Sequence, residues 1–260
     1  MSAELKIAKQ AAREAGQILM KYFRGIFSVR QKSPDNPVTN ADIEADKYLK
    51  SQLLGSFPND GWLSEETKDP ESSVRLSKER VWIVDPLDGT KEFIAGRPEF
   101  VVSIGLVKNG DPILGVLFNP ATDEMFSADE DEPSNLNGRV LAISHAKLLS
   151  ESTLIVSRTE ERNGLWNPYR KYFKNAVVCG SVAYKLASFA DGRADAFISL
   201  NPKNEWDVCA GDYLIRRAGG IITTRTGKPI VYNQPNPHIP NGIIASLPNL
   251  APALLLRFGR

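Results

Sequence analysis

The feature that most constrains the fold of this 260-residue chain is an apolar run that leads directly into two aspartates. Val81-Trp82-Ile83-Val84 predicts a short buried strand, and Asp85-Pro86-Leu87-Asp88-Gly89-Thr90 follows it without a spacer. In α/β proteins, ligands commonly bind beyond the carboxyl ends of strands. The pattern therefore predicts a strand end at which two carboxylates face a ligand.

The residue types in this run suit a cation beside a phosphate group. Pro86 imposes a bend, so the carboxylates of Asp85 and Asp88 and the carbonyl of Leu87 can point to one side. Oxygen ligands this close together are the kind of set that a hard cation such as Mg²⁺ takes. Thr90 predicts the start of a helix, whose free N–H groups favour anions, and Gly89 permits close backbone approach. An ordinary Asp/Pro/Gly turn is the alternative interpretation of this hexapeptide taken alone.

Two further carboxylates stand at the ends of predicted elements. Glu65 follows a short apolar segment, and Asp207 lies at or near the predicted N-cap of a helix. Taken singly, a solvated loop accounts for Glu65, and helix capping accounts for Asp207. Together with Asp85 and Asp88, they predict four carboxylates that are distant in sequence and serve one site.

The remaining pattern predicts mixed α/β layering. Amphipathic helices are predicted over residues 3–24 and from Thr39 or Asn40 onward, and residues 34–37 predict a loop. In the second half, strands alternate with helices over 182–190 and 208–218, and a short helix closes the chain. Strands are predicted over 27–31, 81–84, 100–108, 112–118, 124–128, 153–156, 176–178, 194–198, 221–223 and 243–245. The polar residues 67–80 predict a mobile loop near the site.

Composition excludes several classes of function. The 32 Lys and Arg balance 31 Asp and Glu, and the net charge of +1 argues against a large basic face for a nucleic-acid polymer. Two cysteines and two histidines, none at metal-ligand spacing, support neither a disulfide framework, a zinc site nor a Ser-His-Asp triad. No stretch is long and apolar enough to span a membrane, and the N-terminus lacks a signal-peptide pattern, so we expect a cytoplasmic protein.

Several motifs, taken together, resemble one known superfamily. It comprises the Mg²⁺-dependent, lithium-sensitive phosphatases, which include inositol monophosphatases, fructose bisphosphatases and 3′(2′),5′-bisphosphate nucleotidases. The motifs occur in the superfamily's order over nearly the whole chain: Pro37-Val38-Thr39-Asn40-Ala41-Asp42, Ser64-Glu65-Glu66, Trp82 through Phe93, Gly180-Ser181-Val182-Ala183, and Trp206-Asp207 with Gly219-Gly220 downstream. The resemblance implies an α/β fold, a layered αβαβα sandwich. It also implies a single catalytic unit over residues 1–260, with the active site between an α+β half (about 1–145) and an α/β half (about 146–260).

The resemblance also implies a role for each site residue. Metal ligands are implied for two or three Mg²⁺ ions, with Li⁺ as an inhibitor: Glu65, Asp85, Asp88, Asp207 and the Leu87 carbonyl. Thr90, oriented by Asp42, is implied to help Glu65 activate the attacking water, without a phosphoenzyme. This is reasonable chemically, since a hydroxyl can relay a proton only if an acceptor fixes it. Contacts to substrate and phosphate are implied at Leu87, Asp88, Gly89, Thr90, Gly180, Ser181 and Asp207.

The segment after Thr90 distinguishes among members of the superfamily. Lys91-Glu92-Phe93 and Leu63-Ser64-Glu65-Glu66 resemble the bacterial bisphosphate nucleotidases, which remove the 3′-phosphate of 3′-phosphoadenosine 5′-phosphate. Inositol monophosphatases more often have Thr-Asn in place of Lys-Glu. A second phosphate requires additional positive charge. Lys185, Arg193 and Lys203 are candidates, with solvated surface side chains as the alternative interpretation.

The sequence is thus interpreted as a Mg²⁺-dependent bisphosphate nucleotidase, and two alternatives stay open. One is an inositol-1-monophosphatase or a broader phosphatase of small phosphate esters, although Phe197-Ile198-Ser199 stands roughly where the inositol enzymes carry a glutamate. The other is a non-catalytic relative that binds phosphate or a partner. The intact carboxylates and Thr90 favour an enzyme. Relatives are often dimers, so the resemblance is consistent with a homodimer.

Overall fold

The computed structural model of the chain describes residues 1–67 and 72–259. The helices in these ranges are α1 (Ala3–Tyr22), α2 (Asn40–Ser56), α3 (Ser72–Leu76), α4 (Thr90–Ile94), α5 (Arg158–Arg162), α6 (Val182–Ala190), α7 (Glu205–Arg217) and α8 (Ala251–Phe258). The strands are β1 (Val29–Ser33), β2 (Asn36–Thr39), β3 (Gly61–Ser64), β4 (Arg80–Asp88), β5 (Val101–Lys108), β6 (Asp111–Asn119), β7 (Glu124–Ala128), β8 (Asn135–Leu136), β9 (Arg139–Val140), β10 (Thr153–Ser157), β11 (Asn175–Cys179), β12 (Ala196–Ser199), β13 (Lys203–Asn204), β14 (Ile221–Thr224), β15 (His238–Ile239) and β16 (Ile243–Ser246). Leu149–Glu151 and Arg170–Tyr172 form single 3₁₀ turns. Among the described helices, none has both the length and the apolar character needed to cross a membrane.

The first sheet has seven strands in the order β3-β4-β5-β6-β7-β8-β9, and it is antiparallel except for the parallel pair β3–β4. Helices α1 and α2 cover one face with small and aliphatic residues such as Ala12, Ala15 and Leu49. Gly16 allows α1 to approach the sheet, because a Cβ there would lie 2.6 Å from the Phe118 ring.

Helices α6 and α7 cover the opposite face of this sheet. Two glycines on neighbouring strands permit the contact. A Cβ on Gly105 would lie 2.5 Å from Cys209 Sγ, and a Cβ on Gly115 would lie 2.4 Å from the Ala210 carbonyl oxygen. Helix α7 thereby reaches the backbone of the first sheet, and this close packing places its first turn beside the end of β4.

The second sheet lies on the other side of α6 and α7, in the order β11-β10-β12-β16-β14. Strand β10 is parallel to β11 and β12, whereas β16 is antiparallel to both of its neighbours. Helices α5 and α8 pack against this sheet from outside. The layers are therefore helices, sheet, helices, sheet and helices, which confirms the predicted αβαβα sandwich.

Most predicted elements are present with shifts of a few residues, but three local expectations are wrong. Residues 34–37 are not a loop throughout, because β1 and β2 form a hairpin whose turn includes Asp35 at φ 64°. Strand β4 does not stop at residue 84 but continues through Asp88. Residues 67–80 contain α3, where Arg75 is buried and bonded to Asn233, so the segment is not a loop throughout. The part of that prediction covering residues 68–71 lies outside the described residues.

Candidate active site

Three carboxylates from separate elements converge on one point. Glu65 directly follows β3, Asp85 lies within β4, and Asp207 lies in the first turn of α7. One carboxylate oxygen from each of them lies within 4.8 Å of the others. We call these three residues the acidic cluster. Oxygen ligands from separate elements at this spacing fit a hard divalent cation such as Mg²⁺.

The electrostatics of the acidic cluster also favour a cation. Burial, together with the charges of Glu65, Asp88 and Asp207, raises the pKa of Asp85 well above its ordinary value. Burial and the charges of Asp88 and Glu65 raise the pKa of Asp207 to about 7. Like charges in a buried site repel one another without the screening of water, so a bound divalent cation would offset a large electrostatic cost.

A bulge in β4 orients the carboxylates of Asp85 and Asp88. Pairing with β5 includes Asp85, is interrupted over the next two residues, and resumes where Asp88 lies opposite Val101. The Leu87 N–H donates to Asp85 Oδ1 at 2.9 Å, which fixes the rotamer of that carboxylate. A bulge bends the strand and redirects its side chains, so the carboxylates face the cavity although the strand continues.

Asp88, the fourth predicted carboxylate ligand, lies beside the acidic cluster and connects the two halves of the chain. Its Oδ2 accepts hydrogen bonds from Ser181 Oγ at 2.7 Å and from the Ala183 N–H in the first turn of α6. Burial raises the pKa of Asp88, whereas these hydrogen bonds lower it. One carboxylate oxygen of Asp88 is therefore bonded to the first turn of α6 and its N-cap.

The predicted pair of Asp42 and Thr90 is brought together. Thr90 Oγ1 lies 3.1 Å from Asp42 Oδ1 and 3.1 Å from the Leu87 carbonyl oxygen, and it can donate its hydrogen to either. Asp42 Oδ2 accepts from the Thr39 N–H at 2.8 Å in the capping box of α2. Burial raises the pKa of Asp42, and the hydrogen bonds from Thr39 and Thr90 counteract this effect.

A cavity of about 440 Å³ opens over the acidic cluster. Of the predicted site residues, the following line it: Glu65, Asp85, Leu87, Asp88, Gly89, Thr90, Gly180, Ser181 and Asp207. Asp42 lies behind Thr90. Gly89 has φ 105°, and a Cβ there would lie 2.8 Å from the Glu99 carbonyl oxygen, so only glycine fits without strain at this turn into α4.

The wall opposite β4 is the turn into α6. Ser181 has φ 50°, and its Oγ accepts from the Tyr184 N–H at 3.0 Å. Lys185 Nζ is buried and donates to the carbonyl oxygens of Ser181 at 2.6 Å and Gly180 at 3.2 Å. Lys185 lines the cavity but is committed to this turn, so it is not the solvated surface lysine considered from the sequence. A Cβ on Gly180 would lie 2.2 Å from Glu92, which explains the glycine.

The other two basic candidates have different positions. Lys203 lines the cavity, and its Nζ donates to the Pro202 carbonyl oxygen at 3.0 Å. Arg193 does not line the cavity and is instead held by Glu124 at 2.5 Å and Asp191 at 2.8 Å. Of the two interpretations of Arg193, the structure supports the surface side chain, because two acidic neighbours hold it away from the cavity.

Lys32 is a site residue that the sequence did not reveal. From the β1–β2 hairpin, its Nζ lies 2.5 Å from Glu65 Oε1 and 2.8 Å from Glu66 Oε1. Burial opposes the charged amine, but the charge of Glu65 and its hydrogen bond outweigh this and raise the pKa of Lys32. Burial raises the pKa of Glu66 to about 7. All five residues of β1 are exposed, so no periodic pattern marks Lys32 as part of a site.

Arg158 is a second residue that sequence reasoning missed. It lines the cavity from α5, with its Nε 3.4 Å from Glu92 Oε1 and another nitrogen donating to Glu99. Its only sequence signal is its position just after the predicted strand over 153–156, a place where ligands commonly bind.

Known proteins resemble this chain over most of its length. The model of the family described as the inositol monophosphatase family matches residues 1–255. Inositol monophosphatase 3 of Solanum lycopersicum is 32% identical over 231 residues, which cover 86% of this chain and 86% of that protein. The 3′(2′),5′-bisphosphate nucleotidase CysQ of Shigella flexneri is 33% identical over 225 residues, 86% of this chain and 91% of that protein. The crystal structure of extragenic suppressor protein suhB from Bartonella henselae has a TM-score of 0.86 at 29% identity, and the match covers 100% of both chains.

Proposed function

This chain belongs to the inositol monophosphatase family, and from that premise we propose that it is a Mg²⁺-dependent 3′(2′),5′-bisphosphate nucleotidase. The family's members are phosphoric monoester hydrolases that act on small phosphorylated substrates. The proposed substrate is 3′-phosphoadenosine 5′-phosphate, from which the 3′-phosphate is removed. The convergence of Glu65, Asp85 and Asp207 in a cavity that Thr90 also lines is the observation that carries the proposal.

The residues of the site can divide the chemistry between them. Mg²⁺ held by the acidic cluster and Asp88 would neutralise charge on the phosphoryl group and on the leaving oxygen. Thr90, whose hydrogen is directed to Asp42 or the Leu87 carbonyl, has a lone pair free to accept a hydrogen bond from water. Glu65 accepts the proton as the water oxygen bonds to phosphorus and the ester P–O bond breaks in line. The leaving oxygen takes a proton from solvent water and Glu65 returns its proton to solvent, so the products are inorganic phosphate and the substrate alcohol.

The choice of a nucleotide is supported by the residues beyond Thr90. Lys91, the residue that resembles the nucleotidases in sequence, lines the cavity together with Arg158 and Lys203. Such cations suit a substrate that carries more negative charge than one phosphate monoester. An inositol monophosphatase is the second candidate, because relatives of that name match this chain at the same level of identity.

Phosphate release from 3′-phosphoadenosine 5′-phosphate and from inositol 1-phosphate, with and without Mg²⁺, tests the proposal. We expect Mg²⁺-dependent release with the higher kcat/KM for the nucleotide, and a fall of at least about 100-fold in kcat for Asp85→Asn. Asp123→Asn, at an exposed aspartate paired with Arg13, is the matched control and should keep full activity. The opposite substrate order would make the protein an inositol phosphatase, and hydrolysis of neither ester would reject both of these substrates.

Three further expectations belong to the proposal and have separate tests. Excess Li⁺ should inhibit the enzyme, and insensitivity would remove that expectation without removing the phosphatase. Cell fractionation and sedimentation of the native protein would test the cytoplasmic location and the homodimer.

A further inference from the structure

A second cavity adjoins the one over the acidic cluster. It has a volume of about 410 Å³, and the two cavities share six wall residues: Asp35, Pro37, Lys91, Glu92, Arg158 and Thr159. The two cavities therefore lie side by side along these six residues. The first cavity leads to the carboxylates of the acidic cluster, whereas the second does not include them.

The charges that line the second cavity are mainly positive. Its four cations are Lys91, Arg97, Arg158 and Arg162, against the two carboxylates of Asp35 and Glu92. The first cavity has the opposite balance, with six carboxylates against four cations. A cleft with a metal-binding end and a cationic end suits a substrate that carries anionic groups at two separate positions.

Several of these cations have unused binding capacity. Arg97 and Arg162 are exposed and form no ion pair with any residue that the structure describes. Arg158 is already paired with Glu92 and Glu99, but its buried Nε makes no hydrogen bond to any described residue. Lys91 Nζ lies 3.8 Å from Asp35 Oδ1, and both side chains are exposed, so this ion pair is weak. Arginine presents its N–H groups in a planar fork that matches phosphate oxygens, so this end of the cleft has the donors that a phosphate requires.

The second cavity also has an apolar portion. Val29, Pro37, Ile94 and Ala95 line it beside the cations. Apolar surface next to phosphate-binding groups provides a place for a flat heterocycle, which gains free energy when it leaves water. A nucleoside with two phosphates has both parts, whereas an inositol monophosphate has neither a second phosphate nor an apolar ring.

We propose that the second cavity is the subsite for the second phosphate of a nucleoside bisphosphate, held by Arg97 and Arg162 with Arg158 and Lys91, while the first phosphate reacts at the acidic cluster. This inference rests on the proposed nucleotidase function and adds its specificity-determining residues. The arginines select the substrate through a group that does not react. Their removal should therefore change the preference between substrates.

The test compares 3′-phosphoadenosine 5′-phosphate with adenosine 3′-monophosphate, which lacks the second phosphate. In the double variant Arg97→Gln/Arg162→Gln, we expect the ratio of kcat/KM for the two substrates to fall by at least about tenfold, as for lost charge-assisted hydrogen bonds. The double variant Arg97→Lys/Arg162→Lys should recover part of the ratio. Arg13→Gln/Arg257→Gln removes equal charge from surfaces outside both cavities and should leave the ratio unchanged.

Calorimetric binding of adenosine 5′-monophosphate to protein in EDTA gives a second readout that is independent of turnover. The Gln variant should bind it at least about tenfold more weakly than the wild type. Suppose that the wild type prefers the bisphosphate, but that the Gln variant keeps the same kcat/KM ratio and the same affinity for adenosine 5′-monophosphate. That result would overturn the subsite and leave the proposed nucleotidase standing. A wild type without preference for the bisphosphate would overturn the proposed nucleotidase as well.

Discussion

Asp207 is a residue whose protonation should control metal binding. Its pKa of about 7 in the metal-free protein, raised by burial and by Asp88 and Glu65, leaves it largely protonated at pH 6. Mg²⁺ binds the ionised carboxylate, so binding must displace that proton and become tighter as the pH rises. We predict that the Mg²⁺ concentration for half-maximal activity falls between pH 6 and pH 8, by up to about tenfold per pH unit below pH 7 for each proton displaced.

Titration calorimetry in two buffers of different ionisation enthalpy would measure the same linkage directly. Proton release should accompany Mg²⁺ binding at pH 6 and decrease towards pH 8. Glu14→Gln, at a partly exposed residue of α1 whose carboxylate accepts from Gln10, should leave the pH dependence unchanged. A Mg²⁺ requirement that does not vary over this range would show that the acidic cluster is ionised without metal.

Two of the site aspartates combine a helix-capping hydrogen bond with a position in the site. Asp207 lies at the third residue of α7, where its Oδ2 accepts from the Asn204 N–H at 2.8 Å, so it is not the N-cap itself. Asp42 has the same position in α2 and caps through Oδ2, while its Oδ1 faces Thr90. A capping box uses one carboxylate oxygen and leaves the other available. Helix capping and a role in the site are therefore compatible.

At the scale of elements, the sequence predicts the site residues that stand at the ends of strands and helices, because the local hydrophobic pattern locates those ends. Glu65, Asp85 and Asp207 stand beside apolar runs, and the runs determine where their elements lie. The β1–β2 hairpin and α5 could not be predicted as parts of the site. Lys32 and Arg158 reach the cavity through packing between elements that are distant in sequence, and single-sequence periodicity carries no information about such contacts.

The β1–β2 hairpin supplies a lysine where a metal would also bring positive charge. In the proposed function, Mg²⁺ at the acidic cluster would be a second source of positive charge for Glu65 beside Lys32, so losing one should increase dependence on the other. We predict that Lys32→Gln lowers the Tm of the metal-free protein by a few degrees, corresponding to about 1 kcal/mol for a partly exposed pair. Saturating Mg²⁺ should then raise the Tm of this variant more than that of the wild type.

Thermal melting of both proteins in EDTA and in Mg²⁺ makes the comparison. Lys108→Gln is the matched control, since Lys108 lies on β5 at 3.2 Å from Glu79 in an exposed pair outside the cavity. Its melting temperature should respond to Mg²⁺ as the wild type does. An equal Mg²⁺ response in Lys32→Gln would mean that the hairpin has no electrostatic connection with the metal site.

At the scale of the whole molecule, the two halves share one core. The cluster between the sheets combines Leu63, Ile83 and Phe126 from the first half with Leu186 and Leu214 from the second. The acidic cluster also contains residues from both halves, because Glu65 and Asp85 come from the first half and Asp207 comes from the second. Stability and site geometry therefore depend on the same contact between the halves.

This shared core predicts that the chain unfolds as one cooperative unit. Residues 1–145 alone would expose the face of the first sheet that α6 and α7 cover, together with the close contacts at Gly105 and Gly115. The loss of that apolar burial should leave the fragment unfolded or aggregated. For the full chain, far-UV circular dichroism and tryptophan fluorescence should report one transition, with equal calorimetric and van't Hoff enthalpies. Two separated transitions, or a folded fragment with dispersed NMR signals, would instead establish two independent domains whose contact forms the site only after each has folded.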